Sequence, residues 1–105
     1  METNQPISEQ FRRAADTWVD AEAAASLLED LKSAFLAEQM QQHASLPINR
    51  AEQMVKSSRA WRDYIEKMVG ARKSANKAKV QMEYLRMRAT EWQSEEANRR
   101  MEARL

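Results

Sequence analysis

The sequence contains very few of the residues that turn or cross-link a chain. Its 105 residues include one glycine, two prolines and no cysteine. Without cysteine there are no disulfides and no thiolate metal sites, and a reducing compartment is favoured. The shortage of glycine and proline leaves few places for turns, so the chain is expected to form a few long elements. A chain of this length fits a single domain.

Long apolar runs are also missing. No stretch approaches the roughly 18 apolar residues of a membrane span. The first ten residues, METNQPISEQ, have neither a basic start nor an apolar segment, so they do not resemble a targeting sequence. We therefore expect a soluble, cytoplasmic protein with no membrane partner.

The formal net charge of +1 conceals a difference between the two halves of the chain. Met1 to Pro47 contains three basic and eight acidic residues, whereas Ile48 to Leu105 contains fourteen basic and eight acidic residues. Two antiparallel arms with opposite charge attract each other, within the limits that salt screening sets. The asymmetry therefore favours pairing between the halves.

Apolar and small residues recur at helical spacing along the first arm. This stripe is interrupted by a slip of one register after Leu28, and Pro47 disfavours continuation of the helix. Asn49, followed by Glu52, is typical of a capping box that starts a new helix. The pattern predicts a helix over about 7–44, a turn over 45–49, and one or more helices over about 50–104. The predicted stripe consists of Ile7, Phe11, Ala14, Trp18, Ala21, Ala25, Leu28, Leu31 and Phe35.

A second stripe follows the turn, at mostly heptad spacing. Ser57 and Ser58 either interrupt this arm or lie on an exposed face; if Ser58 caps a new helix, a short middle helix is left behind. The two stripes can cover each other, which predicts an all-α fold: an antiparallel hairpin of two long helices, with a short third helix after the turn as an alternative. The second stripe consists of Trp61, Ile65, Met68, Ala71, Ala75, Ala78, Met82, Leu85, Ala89 and Trp92.

The second arm is too long for the first. At 1.5 Å per residue the first arm spans roughly 55 Å and the second roughly 70 Å, so the C-terminal end overhangs. Glu95 with Arg99 and Glu96 with Arg100 are spaced for ion pairs within the helix. Met101 and Leu105 add apolar surface that the first arm does not reach. We predict that Trp92, Met101 and Leu105 bind a partner protein or a second copy, which makes the chain a homodimer; a solvated tail is the alternative.

The sequence offers little chemistry. His43 is the only histidine and is predicted to lie in the last turn of the first helix, where the helix dipole favours a cation. No phosphate-binding loop, cysteine nucleophile or metal-ligand spacing is present. We expect no catalytic residue, no cofactor and no metal, and therefore not an enzyme.

The centre of the second arm is basic. Its charged side chains could neutralise phosphates and bind nucleic acid without sequence preference. Alternatively, they cover the apolar seam and face the acidic first arm. The residues concerned are Arg72, Lys73, Lys77, Lys79 and Arg86.

The run ARKSANKAKVQMEYLRMRATEWQSEEANRR resembles the C-terminal half of small helical proteins of tailed bacteriophages and prophages, found among recombination and early-region genes. The resemblance covers Trp61 to Leu105. It implies a phage-encoded accessory protein that acts in the host cytoplasm on or beside DNA-processing or defence machinery, usually by binding another protein and inhibiting or otherwise modulating it. The residues thus favour a protein-binding module, with an accessory nucleic-acid-binding protein as the alternative.

Overall fold

A computed structural model describes residues 5–105, and all secondary structure in that range is helical. Four helices follow one another: α1 (Ile7–Asp30), α2 (Lys32–Gln41), α3 (Ile48–Lys56) and α4 (Arg59–Arg104). The predicted all-α hairpin is therefore confirmed. The prediction that no targeting segment is present concerns the first ten residues, of which residues 1–4 lie outside the described part of the chain.

The principal contact joins α1 and α4, which run antiparallel along an elongated molecule of 84 × 25 × 16 Å. Two alanines, Ala25 on α1 and Ala75 on α4, are fully enclosed. Because alanine adds little beyond the backbone, the two helices can approach closely at this point. Met82 and Leu85 continue the buried side of α4 towards its C-terminal half.

The first arm is broken at one residue. The predicted single helix over about 7–44 was wrong in two respects: Leu31 separates α1 from α2, and α2 ends at Gln41. Near the break, the Tyr64 hydroxyl donates a 2.5 Å hydrogen bond to the Leu28 carbonyl. Side-chain hydrogen bonds to helix carbonyls are a known cause of helix irregularity, and this one lies beside the position at which the apolar stripe slips. Leu31 itself is 47% exposed and lies outside the core where the stripe had placed it.

The turn lies at 42–47 rather than 45–49, and α3 begins directly after Pro47. The predicted capping box was wrong, because Asn49 is already inside α3 and no side chain caps that helix. Pro47, with φ −56° and ψ 151°, supplies the extended residue that precedes the first turn. His43 lies in the turn, where its backbone N–H donates to the Met40 carbonyl at 2.9 Å.

Ser58 separates α3 from α4. Its hydroxyl oxygen accepts a hydrogen bond of 3.2 Å from the Trp61 backbone N–H, which caps the first turn of α4. The alternative with a short third helix is therefore the correct one. The buried residues of α3 are Ala51 and Val55, and α3 contacts both α2 and α4.

Candidate interaction surfaces

Aromatic residues join the first arm to the start of α4. The rings of Phe35 and Tyr64 stack with centroids 4.4 Å apart, and Trp61 stacks beside them at 6.2 Å from Phe35. The ammonium group of Lys32 lies 5.8 Å from the centre of the Trp61 ring. Trp61 is only partly buried, but it packs against the first arm on the side of α4 that its stripe predicted. The sequence interpretation missed Tyr64, although its three-residue spacing from Trp61 would have indicated it.

Trp92 lies at the open end of the hairpin, which is the end opposite the turn. It lines a cleft of about 280 Å³ together with Pro6, Ile7 and Ala89, at the point where α1 begins. Trp92 remains 54% exposed because α1 supplies no residue beyond this point to cover it. The described first arm therefore reaches only as far along α4 as Trp92 and Gln93.

We call residues 94–105 the extension. At 1.5 Å per residue it reaches about 18 Å beyond the hairpin. Met101 is 65% exposed, and the terminal Leu105 is completely exposed. The overhang predicted from the two arm lengths is thus confirmed. The ion pair found in the extension is Glu96–Arg99 at 2.9 Å, three residues apart, instead of the two predicted pairs at four-residue spacing.

Trp92 and Met101 lie on different sides of α4. They are nine residues apart, which is about two and a half helical turns. Trp92 continues the side of α4 that faces α1, whereas Met101 and Leu105 continue the side that faces away. The three predicted partner-binding residues therefore do not form one patch. Ala97, Met101 and Leu105, each four residues from the next, do share one side, and we call them the apolar strip.

Arg72 is held by the first arm. Its guanidinium donates at 2.7 Å to Glu22 and at 2.7 and 2.8 Å to the two carboxylate oxygens of Glu29. These hydrogen bonds lower the pKa of both glutamates and raise the pKa of Arg72, and Ser26 further lowers the pKa of Glu22. The alternative in which the basic centre faces the acidic first arm is thus confirmed for Arg72.

The other basic residues proposed for nucleic acid are distributed over different sides of α4. Lys79 lies near Glu22, on the side of Arg72. Lys73 and Lys77 are exposed and line an open groove of about 520 Å³ together with Arg72, Val69 and Val80. Arg86 lines a separate shallow groove. Arg72, Lys73 and Lys77 thus border one groove, whereas Arg86 lies at another, so the structure does not gather all five residues on a single surface.

Comparisons of the chain with protein families, with curated proteins and with solved structures find no match. We therefore infer function from the surfaces of the hairpin. Among residues 5–105, no helix combines the length and the apolar content that a membrane crossing needs. Within the same residues, no group of three or more histidine, cysteine, aspartate or glutamate side chains is arranged to hold a metal ion.

The ion pairs of Arg72 predict how stability depends on pH. Because folding lowers the pKa of Glu22 and Glu29 from their ordinary 4.5, the folded chain binds fewer protons than the unfolded chain in acid. Their contribution to stability is complete above the ordinary carboxylate pKa and is lost as pH falls through the lowered values. We expect the melting temperature of the parent to fall more steeply below about pH 5 than that of Arg72→Gln.

The measurement is thermal unfolding by circular dichroism over a series of buffers from about pH 7 to about pH 3. Arg62→Gln is the matched control, since Arg62 is exposed and has no ion pair among the described residues. If the melting temperatures of the parent and Arg72→Gln fall equally with pH, the ion pairs of Arg72 with Glu22 and Glu29 do not contribute to stability.

Proposed function

We propose that this chain is a non-enzymatic protein-interaction module. The hairpin serves as a rigid base, and the extension presents the apolar strip to another protein. The observation that carries this proposal is the exposure of Met101, on a helix that projects beyond the described first arm, and of Leu105, which directly follows that helix. An isolated helical end of this length is marginal in water, so a partner that covers the strip would stabilise it.

The mode of binding follows from the geometry of the strip. Three apolar residues at four-residue spacing form a narrow ridge that fits an apolar groove or a neighbouring helix. Glu96 and Arg99, paired with each other at 2.9 Å, lie outside the strip. The resemblance of the C-terminal half to phage accessory proteins provides the partner class to test first, namely phage or host DNA-processing and defence machinery.

The test compares substitutions on two sides of the extension. We expect Met101→Glu to weaken partner binding about tenfold or more, because a central apolar contact is replaced by a charge. Ala103→Glu is the matched control: Ala103 is also exposed, but it lies two residues further on and so faces a different direction. A truncation after Glu96 removes the whole strip and should abolish binding while the hairpin remains helical.

Binding is measured by capturing tagged protein from host cells, identifying co-purified proteins by mass spectrometry, and titrating the purified partner against each variant. A partner that binds the parent, Met101→Glu and the truncation equally well would contradict the proposal. Circular dichroism of each variant separates a loss of binding from a loss of folding.

A further inference from the structure

The side of α4 that faces away from α1 carries a charge pattern that reverses about Tyr84. Lys73 and Lys77 precede Tyr84 by eleven and seven residues, and Glu91 and Glu95 follow it by seven and eleven. Steps of seven and eleven residues are close to two and three helical turns, so all five residues lie on one side of the helix. We call this side, from Lys73 to Glu95, the outer face.

The charges on the outer face lie on one exposed side of α4, and Glu91 and Glu95 interact electrostatically with Arg88 of the same helix. Lys73, Lys77, Glu91 and Glu95 are all exposed, and within residues 5–105 none of them forms an ion pair. On the side towards α1, by contrast, Arg72 is held by two carboxylates of the first arm. The hairpin thus pairs Arg72 with the first arm, whereas Lys73 and Lys77 form no ion pair among residues 5–105 and Glu91 and Glu95 have only the longer-range attraction of Arg88.

Three apolar side chains and Arg88 occupy the middle of the outer face, between the lysines and the glutamates. Val80 is 66% exposed, Met87 is 51% exposed and Tyr84 is 46% exposed. The Tyr84 hydroxyl accepts a hydrogen bond of 3.3 Å from Arg88, which keeps the ring along the helix surface. An apolar centre between charges of opposite sign is the arrangement of a helix that packs against another helix.

We propose that a second copy of this chain covers the outer face, with the two α4 helices antiparallel and a twofold axis beside Tyr84. In a twofold dimer, residues that lie equally far before and after the axis face each other. Lys77 then faces Glu91 of the second copy, and Lys73 faces Glu95. Each pair occurs twice, and Val80, Tyr84 and Met87 of both copies meet at the centre.

The charge pattern selects this orientation. Two parallel helices in register would place lysine against lysine and glutamate against glutamate, which is repulsive. The complementary charges do not extend beyond the outer face. Glu66 and Glu102 are both eighteen residues from Tyr84, so in this dimer they would face each other as like charges. The apolar strip begins beyond Glu95, outside the outer face, so this inference goes beyond the proposed function and can fail independently of it.

The size of the contact determines its strength. The outer face is about 33 Å long and about one helix wide, roughly 10 Å. Its footprint is therefore well below the roughly 800 Å² that each partner buries in a standard stable interface. We expect a dissociation constant in the micromolar range, about 1 to 100 µM, that increases with salt because the pairs are exposed at the rim.

Analytical ultracentrifugation of the full chain, from about 1 to 300 µM, tests the dimer. Lys73→Glu/Lys77→Glu should be monomeric, and so should Glu91→Lys/Glu95→Lys. An equimolar mixture of these two variants should form a dimer again, and so should the chain that carries all four reversals. The matched control for Lys73→Glu/Lys77→Glu is Arg50→Glu/Arg59→Glu. It also replaces two basic residues by glutamate, at exposed positions near the turn, and should leave dimerisation unchanged.

A cysteine placed at the axis tests the geometry directly, because the chain contains no cysteine of its own. Tyr84→Cys should form a disulfide-linked dimer rapidly on mild oxidation, whereas Val19→Cys, at an exposed position on α1, should not. Met101→Glu should dimerise like the parent, which separates this contact from the partner site on the apolar strip.

A parent that remains monomeric at about 300 µM in low salt would overturn the proposal, and so would charge reversals that leave the dimer intact. The alternative is that Lys73 and Lys77 bind nucleic acid, and titration with a short DNA or RNA duplex tests it. Submicromolar, salt-sensitive binding that disappears with Lys73→Glu/Lys77→Glu, in a parent that does not dimerise, would assign the outer face to nucleic acid instead.

Discussion

Ala75→Asp is expected to lower the free energy of unfolding by about 4 kcal/mol, because it places a carboxylate in a fully enclosed position without a partner. Domains of this size are stable by only about 5–15 kcal/mol, so this one substitution removes much of the total. The loss would weaken the packing of α4 against α1, since Ala75 and Ala25 are both fully buried between the helices. Circular dichroism in a urea series measures the change.

Ser74→Asp is the matched control. Ser74 is the preceding residue on the same helix and is exposed, so aspartate there should change stability by no more than about 0.5 kcal/mol. Equal losses for the two variants would mean that helix propensity, and not burial against α1, causes the effect.

Trp61→Ala is expected to lower the free energy of unfolding by about 3 kcal/mol, the lower end of the range for large aromatic truncations. The lower end applies because Trp61 is only partly buried. The substitution removes its stacking on Phe35 and Tyr64 and the contact with Lys32, which together hold α2 to the start of α4. The melting temperature should fall by about 12 °C or more.

Trp92→Ala makes the same substitution at the open end of the hairpin, where the side chain is 54% exposed. We expect a loss of only about 1 kcal/mol there, because less apolar surface returns to water. A melting temperature for Trp61→Ala within a degree or two of the parent would show that the aromatic stack does not contribute to stability.

The apolar strip and the outer face of α4 are exposed for different reasons. The apolar strip is exposed because the described first arm ends opposite Trp92 and Gln93. The outer face is exposed because α1 covers only one side of α4. Both are consequences of pairing a long helix with a shorter arm, which leaves apolar residues and charges on a rigid element where another chain can reach them.

Local patterns in the sequence determined much of the fold. The two apolar stripes and the single proline at the turn defined the hairpin, and counting residues at 1.5 Å each showed that α4 must overhang. Ser58 could be identified as a cap because a serine before an apolar helical pattern has a local role that needs no distant partner. The position of Trp92 opposite Met101 also follows from their nine-residue spacing, although the sequence interpretation had grouped them.

Only the tertiary structure decided which residues meet across the hairpin. The break at Leu31 coincides with a hydrogen bond between Tyr64 and Leu28, which are 36 residues apart in the chain. Among the acidic residues of the first arm, Glu22 and Glu29 bind Arg72, because the register of the antiparallel helices places Arg72 between them. The order of charges on the two sides of Tyr84 can be read from the sequence. Whether these side chains are exposed depends on which side of α4 the first arm covers. Spacing along one helix is a local property, whereas register between two helices is set by the packing of Ala25, Ala75 and their neighbours, and a single sequence does not specify it.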